Sequence, residues 1–187
     1  EEARRLLATD MDRTLLPNGL QAAEPGALER FGAWARDRER AGVELAYVTG
    51  RHRALAREVV AAYGLPEPDW LVCNVGTEIF AGDDPRPHRD WHDSLASGFD
   101  ADAVRQWAEG RLPRARLQEA EKQSPLKVSF YTDGAQDPGG EQDRLQRGLA
   151  EAGLRARVVV SFDETEDLGL VDFLAPDSGK ARALGFL

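Results

Sequence analysis

The sequence has little of several features that would place it in a familiar class of protein. Its 187 residues include a single cysteine, Cys73, so no disulfide framework can brace the chain. No apolar run approaches the roughly 20 residues of a membrane-spanning helix. The first five residues also lack the basic-then-apolar pattern of a signal peptide. We therefore expect a cytoplasmic protein with no membrane partner, whose cysteine is a small buried residue.

Positive charge is scarce as well. Lysine and arginine together number 24 against 33 acidic residues, which gives a net charge of −9. Because nucleic-acid phosphates require a basic protein face, this balance argues against a nucleic-acid partner. A small phosphorylated ligand is still possible, since a local cluster of donors and a metal can overcome a distant negative field.

The order of the apolar runs predicts an α/β fold with a parallel sheet. Three short apolar runs each end in polar or glycine-rich residues: 6–8, 43–48 and 70–73. Segments with helical spacing separate these runs, and strand–helix–strand order is typical of parallel sheets with crossover helices. In such sheets ligands bind at the carboxyl ends of the strands. The pattern therefore predicts four side chains at one edge of the sheet: Asp10, Asp12, Thr49 and Asn74.

A change of pattern after residue 82 predicts a second domain. The stretch 82–89 is rich in aspartate and proline and is typical of a linker. Mixed helical and strand patterns follow, and then an apolar run at 170–174 leads into a last helix. We predict a core made of residues 1–82 and 168–187 and a small α+β insertion at 83–167.

The segment Asp10-Met11-Asp12 places two carboxylates two positions apart, directly after a predicted strand. An extended backbone would project both side chains in the same direction. Such a pair attracts Mg²⁺, which typically uses one or two carboxylates together with water and phosphate oxygens. One carboxylate could also act as a nucleophile and the other could transfer a proton. For this motif alone, a solvated aspartate pair in a turn is the alternative.

Two further segments favour a phosphate site. Thr49 and Gly50 end a predicted strand, where a hydroxyl and backbone N–H groups could bind a phosphate oxygen. Lys180 is one of only three lysines, and it opens the last predicted helix, where it could neutralise a phosphoryl group. Taken singly, an ordinary strand-to-helix turn and a solvated lysine are the alternatives. The ordered set is more specific than any single motif.

Five segments of the chain resemble the haloacid dehalogenase (HAD) superfamily: LLATDMDRTLLPNG, AYVTGRH, VGTEIF, KVSFYTD and SGKARALGFL. The likeness is to members with a type IIB cap, especially sucrose-phosphate phosphatase and its bacterial relatives. It covers nearly the whole chain. The resemblance implies a Rossmann-like parallel core of the HAD fold, with the inserted domain as a cap that closes over the site and selects the substrate.

The resemblance also implies a role for each motif residue. Asp10 would be the nucleophile that forms an aspartyl-phosphate, and Asp12 would protonate the leaving oxygen and later activate water. Mg²⁺ would bind the Asp10 carboxylate and the backbone carbonyl of Asp12. Thr49 would donate to the phosphoryl oxygens, and Lys180 would offset their charge.

A phosphorylated sugar such as sucrose 6-phosphate is the substrate that this resemblance implies. The candidate substrate-binding residues are Gly50, Arg51, Asn74, Glu78 and Lys127. A solvated cap lysine, a surface glutamate and a turn asparagine are the alternatives for the last three. Mannosyl-3-phosphoglycerate phosphatase, trehalose-phosphate phosphatase and phosphomannomutase are alternative relatives.

The chain departs from the pattern of the superfamily at two places. Arg13 stands where many members have glycine, so its backbone must suit a side chain. The acidic motif that follows the lysine helix in the superfamily does not occur in this sequence, so we expect a longer protein or a weak Mg²⁺ site. A non-catalytic binding or regulatory domain is therefore the alternative to an enzyme.

Overall fold

The computed structural model describes residues 5–17, 22, 24–38, 41–112, 114–134, 137–163 and 166–187. Residues 1–4, which carry most of the prediction about a signal peptide, lie outside this set. The chain forms two compact units: Glu1–Trp91 with Gly179–Leu187, and His92–Ser178. In the described part of the chain, no helix has the length and apolar character needed to cross a membrane.

The first unit is a four-stranded sheet with helices between its strands. Its elements are β1 Arg5–Asp10, α1 Ala27–Arg38, β2 Val43–Val48, α2 Arg53–Ala62, β3 Trp70–Cys73, β4 Glu78–Ala81 and α6 Lys180–Phe186. The sheet order is β1-β2-β3-β4, with β1, β2 and β3 parallel and β4 antiparallel to β3. The predicted parallel strands and crossover helices are present, and the hairpin strand β4 is an addition to them.

Burial differs sharply between the strands of this sheet. The central strands β2 and β3 supply the core residues Leu45, Tyr47 and Leu71. In contrast, β1 pairs only with β2 among the described strands, and Leu6 and Leu7 are 36% and 38% exposed. Among the described residues, β1 is therefore an edge strand, with a paired strand on one side only.

The second unit is an antiparallel sheet packed against two helices. Its elements are α4 Ala101–Arg111, β5 Arg116–Leu117, β6 Lys127–Thr132, α5 Pro138–Glu151, β7 Arg157–Asp163 and β8 Leu168–Leu174. The order of the strands is β5-β6-β8-β7. A helix start is fixed by Asp100, which accepts from the backbone N–H of Ala103 at 3.0 Å. Helix α3, Arg89–Ala96, spans the boundary between the two units.

The limits of the second unit differ from the predicted 83–167. The unit ends at Ser178 because β8 pairs in antiparallel fashion with both β6 and β7. Valine and phenylalanine side chains of these strands share one core with α4 and α5. The prediction that the apolar run at 170–174 belongs to the first sheet is therefore wrong, because the run lies in β8 of the second sheet. A short apolar run does not specify which strand it pairs with.

Candidate active site

Asp10 and Lys180 form the centre of the candidate site. Asp10 ends β1, and Lys180 is the first residue of α6, so both lie at the ends of regular elements. The Lys180 Nζ donates to Asp10 Oδ2 at 2.5 Å, while the other carboxylate oxygen accepts from the Met11 N–H at 2.8 Å. Their side chains are 38% exposed for Asp10 and 36% for Lys180, so a ligand in solvent can reach the pair.

Asp12 is held by Arg51 from the next strand-to-helix connection. The Arg51 Nε donates to Asp12 Oδ2 at 2.9 Å, and its Nη2 donates to Asp12 Oδ1 at 2.6 Å. A planar guanidinium that binds both oxygens fixes the orientation of the carboxylate. The motif around Arg51 predicts that this residue binds substrate. Nothing in the motif indicates an ion pair between Arg51 and Asp12.

A tight turn carries the chain from Asp12 to Leu16. Leu16 N–H donates to Met11 O and Arg13 N–H donates to Leu16 O, each at 2.8 Å. Arg13 adopts a φ of 59°, in the left-handed region that glycine occupies most easily. This conformation gives a physical reason for the glycine that many members of the superfamily have at this position.

Thr49 lies where β2 ends, at the same sheet edge as Asp10. Its residue is fully buried, its N–H donates to Val72 O at 2.8 Å, and its Oγ1 accepts from the Arg51 N–H at 3.1 Å. Gly50, between them, is exposed. The Thr49 oxygen is thus used as an acceptor, and the predicted phosphate contact would use the hydroxyl hydrogen as a donor.

Asn74 and Glu78 pair with each other at the start of the β3–β4 hairpin. The Asn74 Nδ2 donates to Glu78 Oε2 at 2.7 Å, and Asn74 is buried. Their role in substrate binding stays a prediction, and the structure adds a structural role for the pair in joining β3 to β4.

Lys127 belongs to the second unit and begins β6. It is buried, and its Nζ lies 3.9 Å from Asp172 Oδ1 on the neighbouring strand β8. The same Asp172 oxygen accepts from Ser129 Oγ at 2.5 Å. Substrate binding by Lys127 also stays a prediction, and its ion pair with Asp172 joins two strands of its own sheet.

The donor chemistry at the strand ends fits a Mg²⁺ ion that keeps most of its water ligands. Asp10 offers a half-exposed carboxylate whose oxygens accept from Lys180 and from the Met11 N–H, whereas both oxygens of the Asp12 carboxylate are bound by Arg51. The described residues contain no group of three or more histidine, cysteine, aspartate or glutamate residues that could hold a metal. One carboxylate with water and phosphate oxygens is a usual Mg²⁺ environment, so the Asp10 site suits this ion better than a fully protein-ligated metal.

Cys73 ends β3 next to this site but is no candidate nucleophile. It is buried, and burial, with a smaller contribution from Glu78, raises the pKa of its thiol to about 12. The reactive form of cysteine is the thiolate, which is absent at neutral pH when the pKa is this high. The candidate reactive groups at this edge of the sheet are therefore carboxylates and hydroxyls, not a thiol.

Comparison with known proteins places these residues in one family. The family described as sucrose-6F-phosphate phosphohydrolase matches residues 3–187. The chain belongs to this family. The prediction from the sequence motifs is thereby confirmed at the level of the family.

Individual members of the sucrose-6F-phosphate phosphohydrolase family and their relatives align over most of the chain. A protein of Nitrosococcus oceani described as a HAD-like hydrolase is 38% identical over 97% of this chain and 49% of its own length. Sucrose-phosphatase 1 of Nicotiana tabacum is 32% identical over 99% of this chain and 41% of its own length. The chain therefore spans less than half the length of these curated relatives.

A solved structure of a sucrose-phosphatase also matches the fold. The enzyme from Synechocystis sp. PCC6803, solved in complex with sucrose and phosphate, has a TM-score of 0.78 and 30% identity. The match covers 98% of this chain and 68% of that one. The predicted α/β class and HAD fold are confirmed by this likeness together with the parallel sheet described above.

Proposed function

We propose that the protein containing this chain is a phosphatase that hydrolyses a phosphorylated sugar through an aspartyl-phosphate. The observation that carries the proposal is the pairing of Asp10 with Lys180 at the carboxyl end of β1, 2.5 Å apart and open to solvent. A carboxylate that faces a fixed ammonium group can meet a dianionic phosphate without an unbalanced negative charge. Membership of the family supports the same reaction.

In the first step, an Asp10 carboxylate oxygen attacks phosphorus and the bond from phosphorus to the sugar oxygen breaks. The departing oxygen takes a proton from the carboxylic acid form of Asp12, so a neutral sugar hydroxyl leaves. The resemblance to the HAD superfamily supports this division of labour between Asp10 and Asp12. Arg51 must then release at least one Asp12 oxygen during turnover, since it contacts both in this structure.

In the second step, the carboxylate of Asp12 takes a proton from a water molecule. The water oxygen attacks phosphorus, the bond from phosphorus to Asp10 breaks, and inorganic phosphate leaves. Asp10 returns as a carboxylate and Asp12 as a carboxylic acid, so the cycle balances in protons and charge.

Two other groups serve the phosphoryl oxygens in this proposal. The Thr49 hydroxyl donates to one of them, and the Lys180 ammonium balances the charge that the phosphate shares with Asp10. The Asp10 carboxylate and the Asp12 carbonyl would hold Mg²⁺, which when bound supplies further positive charge to the phosphate.

A phosphorylated disaccharide close to sucrose 6-phosphate is the substrate class that we propose. Support comes from sucrose-phosphatase 1 of Nicotiana tabacum and from the Synechocystis sucrose-phosphatase that was solved with sucrose and phosphate. In this proposal the second unit is the cap that selects the sugar, with Lys127 as one of its contacts. Gly50, Arg51, Asn74 and Glu78 would contribute from the first unit.

The test is an assay of phosphate release by the complete protein that contains this chain. The substrates are sucrose 6-phosphate, trehalose 6-phosphate and mannosyl-3-phosphoglycerate, each with Mg²⁺ and with a chelator. We expect sucrose 6-phosphate to give the highest kcat/KM and the chelator to abolish turnover. Asp10→Asn removes the nucleophile and should lower kcat by at least about 10³-fold, the scale seen when a covalent nucleophile is lost.

Asp102→Asn is the matched control, because it makes the same chemical change at an exposed helix position of the second unit. Its kcat should equal that of the wild type. Equal activity of Asp10→Asn and Asp102→Asn would overturn the assignment of the nucleophile. A folded complete protein that releases phosphate from none of the substrates would favour a non-catalytic domain instead.

A further inference from the structure

The turn Asn74–Gly76, where the segment VGTEIF begins, has an unusually strained backbone. Asn74, Val75 and Gly76 have φ values of 48°, 60° and 89°, so three consecutive residues lie in the left-handed region. A β-branched residue such as valine is a true outlier there. Backbone strain of this kind persists only where the surrounding structure fixes it, and it is concentrated at functional sites.

Hydrogen bonds fix this turn to the connection that carries Thr49 and Arg51. The Asn74 N–H donates to Arg51 O at 2.9 Å, and the Val75 N–H donates to Thr49 O at 3.2 Å. Thr77, which is fully buried, donates from its N–H at 3.2 Å and from its Oγ1 at 3.1 Å to Asn74 O. The turn is therefore hydrogen-bonded on one side to the segment Thr49–Arg51, which we propose to contact the phosphate.

On its other side the turn lies directly against the backbone of Lys180. A Cβ atom built on Gly76 would lie 2.3 Å from Gly179 C, 2.6 Å from Gly179 O and 2.5 Å from Lys180 N. A Cβ atom does not come this close to non-bonded atoms, and none of these three atoms belongs to a flexible side chain. Only glycine at position 76 allows α6 to begin where it does.

The start of α6 in turn sets the reach of the lysine. Lys180 is the first helical residue, and its Nζ meets Asp10 Oδ2 at 2.5 Å. A shift of the backbone at Gly179 and Lys180 would carry the ammonium group away from the carboxylate. Reacting groups lose efficiency steeply when displaced by about 1 Å.

We propose that Gly76 is a positioning residue of the candidate site, because it seats the backbone of Lys180 so that its ammonium group reaches Asp10. The strained turn at 74–76 holds Gly76 in place through its bonds to Thr49 and Arg51. The effect of Gly76 on catalysis rests on the proposed function. Its effect on the position of the Lys180 side chain is independent of that function.

The chain offers matched controls for the backbone strain alone. Gly64 and Gly82 have φ values of 59° and 49°, and a Cβ on either would meet nothing within 4 Å. Gly64→Ala and Gly82→Ala therefore place a side chain at a positive φ, as Gly76→Ala does, but without the clash. A difference between these variants and Gly76→Ala isolates the contact with Lys180.

The first readout needs no activity. The complete protein is labelled with ¹³C-lysine, and the Cε signal of Lys180 is identified by its loss in Lys180→Met. We expect Gly76→Ala to shift that signal while the signals of Lys122 and Lys127 stay in place. Gly64→Ala and Gly82→Ala should shift none of the three. An unmoved Lys180 signal in folded Gly76→Ala would overturn the proposal.

The second readout is phosphate release. Gly76→Ala should lower kcat by about 10- to 100-fold, the range expected for a misplaced charged group. In the Lys180→Met background the same change should cost less than about two-fold, because residues that act through one another are not additive. An undiminished loss in that background would show that Gly76 acts independently of Lys180.

A further variant keeps the test decisive if Gly76→Ala does not fold. Thr77→Val removes the Oγ1 donation to Asn74 O and adds no atoms that would clash. It should shift or broaden the Lys180 signal, and an unchanged signal would count against the proposal. If Lys180 moves as expected but the wild type releases no phosphate, the positioning role holds and the proposed reaction fails.

Discussion

Two lysine–aspartate pairs, one in each unit, contrast strongly in their surroundings. Lys180 and Asp10 in the first unit are 2.5 Å apart, with side chains 36% and 38% exposed. Lys127 and Asp172 in the second unit are 3.9 Å apart, with side chains only 6% and 14% exposed. The same two residue types are therefore open in one unit and enclosed in the other.

The contrast follows from where each pair stands in its sheet. Asp10 is the last residue of a parallel strand and Lys180 is the first residue of a helix, so the pair lies where both elements end and is partly open to solvent. Lys127 and Asp172 lie on adjacent antiparallel strands of the second sheet. A charge enclosed in protein must be paired to offset the loss of hydration. The open pair is thus suited to a ligand, and the enclosed pair is suited to holding β6 and β8 together.

Replacing Lys180 gives the largest effect that this comparison predicts. Lys180→Met should lower kcat for phosphate release by about 10²- to 10³-fold, the loss typical of one missing charge-stabilising group. The melting temperature should change little, because the pair is partly open to water and contributes little to stability. The measurement is kcat together with a thermal melt, and a loss of activity below tenfold would contradict the assignment.

Replacing Arg51 tests the second contact of the open site. Arg51→Gln removes both donors to the Asp12 carboxylate and should lower kcat by about 10- to 100-fold through loss of orientation. Arg51→Lys keeps the charge but cannot bind both oxygens of the Asp12 carboxylate. Its kcat should therefore lie between those of the wild type and Arg51→Gln. Arg57→Gln, which alters an arginine paired with Glu67 instead, is the control and should retain full activity.

Replacing Lys127 tests the enclosed pair. Lys127→Met leaves Asp172 without its ammonium neighbour but with the Ser129 hydroxyl. The free energy of unfolding should fall by about 1–3 kcal/mol, less than for a fully buried close pair. Urea unfolding measures this effect. A raised KM with unchanged stability would instead favour the predicted contact between Lys127 and the substrate.

Acid titration gives the smallest effect and compares one exposed carboxylate of each unit. Hydrogen bonds from Arg86 lower the pKa of Asp84 to about 2. The pKa of Glu119 is also lowered to about 2, by a backbone hydrogen bond first and by the Tyr131 hydroxyl second. Each group therefore adds slight stability above its ordinary pKa, and that stability is lost as the pH falls toward 2.

The check is a set of urea midpoints for Asp84→Asn and Glu119→Gln between pH 7 and pH 2. Each variant should be slightly less stable than the wild type at pH 7 and equal to it near pH 2. A difference that persists at pH 2 would show that the carboxylate charge is not responsible.

The sequence was sufficient to predict the three parallel strands of the first unit because their signals are local. The three apolar runs that became β1, β2 and β3 are each bounded by polar residues, and Asp10 and Thr49 follow them directly. The parallel arrangement then brings these strand ends to one edge without further information. The prediction of the candidate site rests on this rule together with the family resemblance.

Pairings between distant residues could not be read in the same way. The ion pair of Arg51 with Asp12 joins residues 39 positions apart, and no spacing rule links them. The partner of β8 was also missed, although one signal was present. Asp172 interrupts the apolar run, as expected for a strand with one face on a core and the other facing polar groups.

The contact between Asp10 and Lys180 joins residues 170 positions apart, with the whole segment His92–Ser178 between them. Contacts of such long sequence separation form late in folding, since the intervening chain must first be ordered. The ribosome synthesises Asp10 and every residue of the inserted unit before it adds Lys180. During synthesis the protein therefore carries Asp10 for a long interval without its positive partner, and the charged pair is completed only after the inserted unit has emerged.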